Sequence, residues 1–173
     1  MTKLYDILLD SDVVRHYLKG GQILLLPKLY QNRLVMLDVV QTELCRSKEL
    51  KTQIEGFIQY SKIKQVSFPS DGHIVTEYAR LRQASFGEGE SACMAYARHN
   101  PHIIASSNLK DIKLYCERNG IQYLTTMDIL HEAYTKGELD EGQCDYFIHE
   151  VLRQKSILPC TNMKDFITRF KKT

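Results

Sequence analysis

Apolar residues fall in short runs closed by polar turns, and runs that read as strands alternate with stretches of helical period. Tyr5 to Leu9 is an apolar run that ends at Asp10-Ser11-Asp12, and Val13 to Lys19 reads as a helix stopping at Gly20-Gly21. Leu34 to Val40 is β-branched and apolar enough for a buried strand. The helix after it is expected to start near Thr42, a good cap, and to run through Leu44 and Ile54 to Ile58, which puts Glu43 in its first turn. Val66-Ser67-Phe68-Pro69 reads as an edge strand, and Ile74, Tyr78 and Leu81 give a helical stripe begun after Asp71.

Gly87-Glu88-Gly89-Glu90-Ser91-Ala92-Cys93-Met94-Ala95 sets two glycines and two acids before a run of small helix formers that closes at His99-Asn100-Pro101. Ile103 to Ala105 follows as a strand ending at Ser106-Ser107-Asn108. A helix from Asp111 to Arg118 then stops at Asn119-Gly120, and Gln122 to Thr125 is a further strand. The final third is helical: Asp140 and Gln143 can form a capping box, Cys144, Phe147, Ile148, Val151 and Leu152 make an apolar stripe, and Phe166, Ile167 and Phe170 suggest a last short helix. Strands alternating with helices predict an α/β fold with a parallel sheet.

A chain of 173 residues with 43% hydrophobic positions is long enough for one domain with its own core. The longest apolar run, Ile23 to Pro27, is far shorter than a membrane span needs, and Lys3 followed by Asp6, Asp10 and Asp12 does not suit a cleaved signal peptide. A cytoplasmic chain without membrane partners is expected. The five cysteines form no CxxC pair or zinc-spaced cluster and read as reduced, mostly buried thiols; the six histidines read as surface or packing residues. A net charge of +2 does not by itself announce nucleic-acid binding.

Ligands of open α/β sheets bind beyond the carboxyl ends of the strands, and the residues expected there are acidic: Asp10, Asp12, Glu43, Glu88, Glu90 and Asp128. Carboxylates gathered in one cleft repel each other and call for something positive. Oxygen ligands without converging His or Cys favour a hard divalent cation, Mg²⁺ or Mn²⁺, over zinc, although acids at helix starts also serve as plain caps.

The ordered motifs Leu8-Leu9-Asp10-Ser11-Asp12-Val13, Val40-Gln41-Thr42-Glu43-Leu44, Gly87 to Ala92, Ile104-Ala105-Ser106-Ser107-Asn108 and Gly120 to Thr125 resemble those of PIN domains, over about Tyr5 to Leu130. The resemblance implies a three-layer α/β/α fold with a central, mainly parallel sheet, here a single domain of residues 1–173 with a core of about 1–130 and a helical extension of about 131–173. It implies Mg²⁺ or Mn²⁺ held on acids, an RNA substrate and frequent homodimers, many members being toxins paired with an antitoxin protein. Position by position it assigns Asp10, Glu43 and Glu90 as metal ligands. Asp12 matches a position often held by Asn, Ser or Asp.

This chain departs from the family at the fourth acid, where Ser106-Ser107-Asn108 offers an oxygen but no charge. Asp128 or Asp111 is a candidate replacement, and each also reads as a cap of its own helix. Ser11, Ser106 and Ser107 can bond the acids or a phosphate, and Arg15, Lys19, Arg46 and Lys110 lie close enough in sequence to track an RNA backbone. The function expected is therefore a metal-dependent endoribonuclease, with a toxin role open. The alternative is a PIN-like module without catalysis that binds RNA or a partner protein.

Overall fold

Ile7, Leu8 and Leu9 are all buried, so the first strand has no face for water and belongs inside a sheet covered on both sides. The computed structural model describes residues 5–171; Lys3 lies outside the described residues. Along the chain run β1 (Asp6–Leu9), α1 (Ser11–Lys19), α2 (Leu25–Leu29), β2 (Leu34–Leu37), α3 (Asp38–Cys45), α4 (Lys48–Tyr60), β3 (Lys64–Val66) and α5 (Gly72–Gln83). They are followed by α6 (Glu88–His99), β4 (His102–Ala105), α7 (Leu109–Asn119), β5 (Tyr123–Leu124), α8 (Thr126–Thr135), α9 (Glu141–Arg153) and α10 (Met163–Phe170). The five strands form one sheet in the order β3-β2-β1-β4-β5, every pair parallel, flanked by the helices.

Several boundaries differ from the sequence reading. The second strand ends at Leu37, and α3 begins at once at Asp38, because Val40 and Leu44 are buried one helical turn apart and the Asp38 carboxylate accepts from the Phe68 amide. Thr42 is thus no cap. The expected single helix to Ile58 is broken at Ser47, whose backbone is extended, and Glu43 falls in the last turn of α3 instead of a first turn. Similarly, α1 starts at Ser11 with Asp10 as its cap, β3 is set two residues earlier than expected, and α2 occupies the stretch read only as an apolar run. The capping box of Asp140 and Gln143 and the short helix around Phe166 are present as expected.

One apolar cluster joins the sheet residues to α8, α9 and α10, with Phe147, Ile148, Val151 and Met163 fully buried, and α8 runs continuously through residue 130. A methyl on Gly20 would meet the Phe147 ring at 2.1 Å, so the turn after α1 can approach α9 only without a side chain. All five cysteines are free; four are buried and Cys45 is half-buried. No helix among the described residues is long and apolar enough to cross a membrane.

Glu77 on α5, 7% exposed, fastens three helices together. Its carboxylate accepts from Arg80 at 2.7 and 2.9 Å, from Arg98 of α6 at 2.9 Å and from the Tyr115 hydroxyl of α7 at 2.8 Å. The Arg80 hydrogen bonds, ahead of burial acting the other way, bring its pKa from the usual 4.5 down to about 2. A depressed carboxylate contributes its stability above its unfolded value and loses it as pH falls through the folded one. Glu77→Gln should therefore lower the melting temperature by about 3–10 °C at pH 7. That gap should narrow as pH falls from 4.5 towards about 2, which thermal melts across this range will show.

Candidate active site

The chain places β2 and β3 on one side of β1 and then returns to place β4 and β5 on the other, so the order reverses between β1 and β4. A crevice opens beyond strand ends at such a switch point. Leu9 pairs with Ala105, and the Asp10 amide continues the ladder by donating to the Ala105 carbonyl at 2.9 Å. Asp10 and Ser106 therefore leave the sheet side by side. Asp10 turns into α1 as its cap, its Oδ1 accepting from the Ser11 amide at 2.7 Å, and is 4% exposed. Asp12 reaches across to the β4 end, where its Oδ2 accepts from the Ser107 amide at 2.7 Å and the Ser106 hydroxyl at 3.4 Å.

The other two acids arrive from helices. Glu43, near the negative end of α3, gains nothing from that helix dipole and is held instead by the Ser11 hydroxyl at 2.6 Å, the Gly89 amide at 3.1 Å and Arg15 at 3.8 Å. Glu90 lies in the first turn of α6, 7% exposed; its Oε2 faces the Gly87 amide at 3.4 Å, and its Oε1 is buried with no partner among the described residues. Between them sits Gly89, where a Cβ would stand 2.7 Å from Glu43 Oε2, 3.3 Å from Val40 and 3.4 Å from Asp10 Oδ1. A side chain here would displace the Glu43 carboxylate and crowd Val40, so glycine lets the backbone lie close to both acids. Glu88, by contrast, faces outward to Arg46 and Arg82.

Burial pushes the Asp10 carboxyl well above the usual range, with Asp12 adding to the effect; burial raises Asp12 as well. Glu90 is raised to about 7, by burial first and then by Asp111 and Asp12. Among the described residues no Lys, Arg or His pairs with any of these three; the basic residue that touches the group is Arg15, on Glu43. The donors are all oxygens, which suits a hard cation. As placed, each carboxylate keeps to its own hydrogen-bond donors, and no three His, Cys, Asp or Glu side chains among the described residues are gathered closely enough to hold a metal ion.

At the fourth position Asn108 caps α7, and its side-chain amide donates to Asp111 at 2.8 Å while also facing Glu90. Asp111 is thereby the charge that acts most on Glu90. Asp128 is engaged elsewhere, closing a capping box with Thr125 and pairing with Lys171 at 2.7 Å. Behind the site, the Ser107 hydroxyl donates to Thr126 at 2.6 Å, and Thr126 meets His16 Nδ1 at 2.8 Å. His16 is 6% exposed and burial brings it down to about 4, so it is neutral here and shares one hydrogen bond with the Thr126 hydroxyl. Sequence reasoning missed the close approach at Gly89 and the buried contact of His16 with Thr126 behind the site. The one available signal was a glycine inside a helix start, which marks close backbone approach.

Neither the family models nor the curated proteins give a match to this sequence. Among solved structures, a chain of the DNA-bound VapBC from Salmonella typhimurium superposes with a TM-score of 0.55 at 13% identity, over 71% of this chain and 99% of that one. A chain of VapBC-1 from nontypeable Haemophilus influenzae gives 0.50 at 15% identity, over 69% and 97%. At such identities the likeness carries the fold, which is PIN-like, with an all-parallel sheet of five strands.

A raised carboxylate favours the folded state when protonated and counts against it as pH climbs through the folded value. In EDTA, Glu90→Gln should therefore raise the melting temperature at pH 8, on the order of 1–3 kcal/mol of stability, and leave it unchanged at pH 4. An equal effect at both values would contradict the buried, unpaired placement of Glu90.

Proposed function

We propose that this chain is a metal-dependent endoribonuclease whose Asp10, Glu43 and Glu90 turn from their present hydrogen-bond donors to hold Mg²⁺ or Mn²⁺, with Asp12 beside them. The observation that carries the reading is the burial of Asp10, Asp12 and Glu90 without a cationic partner, beyond the ends of β1 and β4. Charges kept from water need a compensating charge, and the orphaned Glu90 Oε1 and the side-chain-free face of Gly89 fit an oxygen-seeking cation. Bound there, such an ion would neutralise charge on a scissile phosphate and acidify a water.

The chain's own groups supply position. Ser11 and Gly89 fix the two oxygens of Glu43, and Val13, Ser106 and Ser107 fix those of Asp12, while Glu90 keeps its Oε1 without a partner among the described residues. The relay from neutral His16 through Thr126 to Ser107 holds that amide in place from behind. Asn108 contributes an oxygen or amide without charge, and Asp111, seated against it, restores the fourth negative charge. In this reading Asp128 serves structure, through Thr125 and Lys171. The same fold as a chain of two VapBC structures supports a toxin role, and in this reading the chain works as a cytoplasmic homodimer restrained by an antitoxin protein. A second reading, a binding module without catalysis, is favoured by the uncharged Asn108 alone.

Titration calorimetry with Mn²⁺ should give binding to the wild type and none to Asp10→Asn, and the same substitution should abolish cleavage of single-stranded RNA. Asp111→Asn should weaken Mn²⁺ binding by about tenfold, whereas Asp128→Asn should leave it unchanged and lower only the melting temperature. Normal Mn²⁺ binding with no cleavage of any RNA would favour the binding module. Growth arrest on expression, lost in Asp10→Asn, would bear out the toxin role.

A further inference from the structure

The acids have a cationic neighbour. An open groove of about 670 Å³ is lined by Arg15 from α1, Arg46 and Ser47 from the break after α3, Arg82 from the last turn of α5, and Gly87 and Glu88 at the start of α6; Glu43 forms part of its wall. Three guanidinium groups from separate segments thus share one opening that abuts the acid cluster. Arg15 is directed by the Glu43 carbonyl at 3.4 Å, and its Nε is buried with no acceptor among the described residues. Arg82 is anchored by the Phe86 carbonyl. Glu88 lies between the other two, accepting from Arg46 and standing 3.9 Å from Arg82.

A carboxylate at that point occupies the place where two planar donor forks meet, an arrangement that arginine also uses to grip phosphate. Arg46, Arg82 and Glu88 are all at least one-third exposed, and ion pairs so open to water add little, so a phosphate bearing full charge can displace the carboxylate. Lys19, which the sequence put among the backbone-tracking candidates, is instead engaged with the Gln154 carbonyl and Ser156. Arg82 takes its place.

We infer that this groove is a phosphodiester-binding subsite for single-stranded RNA, in which Glu88 holds Arg46 and Arg82 in readiness until a backbone phosphate replaces it. The inference rests on the ribonuclease reading for the identity of the strand. It places the RNA flanking the cut on the Glu43 side of the acid cluster, along α1, α5 and the start of α6.

The test uses the full chain in EDTA and a fluorescein-labelled ten-nucleotide single-stranded RNA, with anisotropy followed against salt. Arg46→Gln and Arg82→Gln should each weaken binding about three- to tenfold at low salt and reduce the salt slope by about 0.7. Arg46→Lys should keep the slope while recovering only part of the affinity, which separates loss of the fork from damage to the fold. Glu88→Gln should tighten binding about two- to fivefold. Wild-type affinity and slope in both glutamine variants would overturn the inference, as would a ten-residue polyglutamate peptide competing as well as unlabelled RNA. No bond is cut in EDTA, so a protein that never cleaves RNA yet shows these losses would defeat the ribonuclease reading and leave the subsite standing.

Discussion

Everything at the crevice depends on taking carboxylates out of water where two parallel strands end. The Asp10 amide continues the β1–β4 ladder, which fixes its backbone at the strand end, and the Ser11 amide holds its carboxylate there. Neighbouring donors are serine hydroxyls and backbone amides, which stabilise a carboxylate but do not cancel its charge. Burial is the largest influence on Asp10, Asp12 and Glu90 alike. Guanidinium groups are present, yet they stand to one side, on Glu43 and Glu88. The result is a negative pit with a positive shoulder, and the separation between them is maintained by the backbone.

Glu43 shows how much of this is tertiary. Near the end of α3 the helix dipole opposes a negative charge, and what keeps the residue in place comes from two other helices: Ser11 and Arg15 of α1 and the amide of Gly89 in α6. Gly89 links the two helices because it has no side chain to hold them apart. A change at that glycine would therefore act on Glu43 and Asp10 together, although it carries no chemistry of its own.

Strand and helix alternation was legible because the buried strands are short, apolar and closed by polar turns, and the acids at their ends followed from the same pattern. The boundary at Leu37 was not, since Val39 and Val40 have the composition of a strand while Val40 and Leu44 are spaced as a buried helical face. Asp111 and Asp128 are both acids in first turns of helices and cannot be told apart locally. Only the contact of Asp128 with Lys171, and of Asp111 with Asn108, assigns them different surroundings. Arg82 was invisible for the same reason: its place in the groove comes from the packing of α5 on α6, which periodicity does not encode.

The unequal burial of the cysteines has a practical side. Cys93, Cys116, Cys144 and Cys160 are enclosed, while Cys45 stands half-buried, next in the chain to Arg46 of the groove. Burial raises the Cys45 thiol, so it alkylates slowly, but its buried counterparts must wait for the structure to open. Treatment with a maleimide dye at mildly alkaline pH, stopped before the enclosed thiols react, thus gives a natural single-site spectroscopic reporter, seated next to Arg46, without removing any native cysteine.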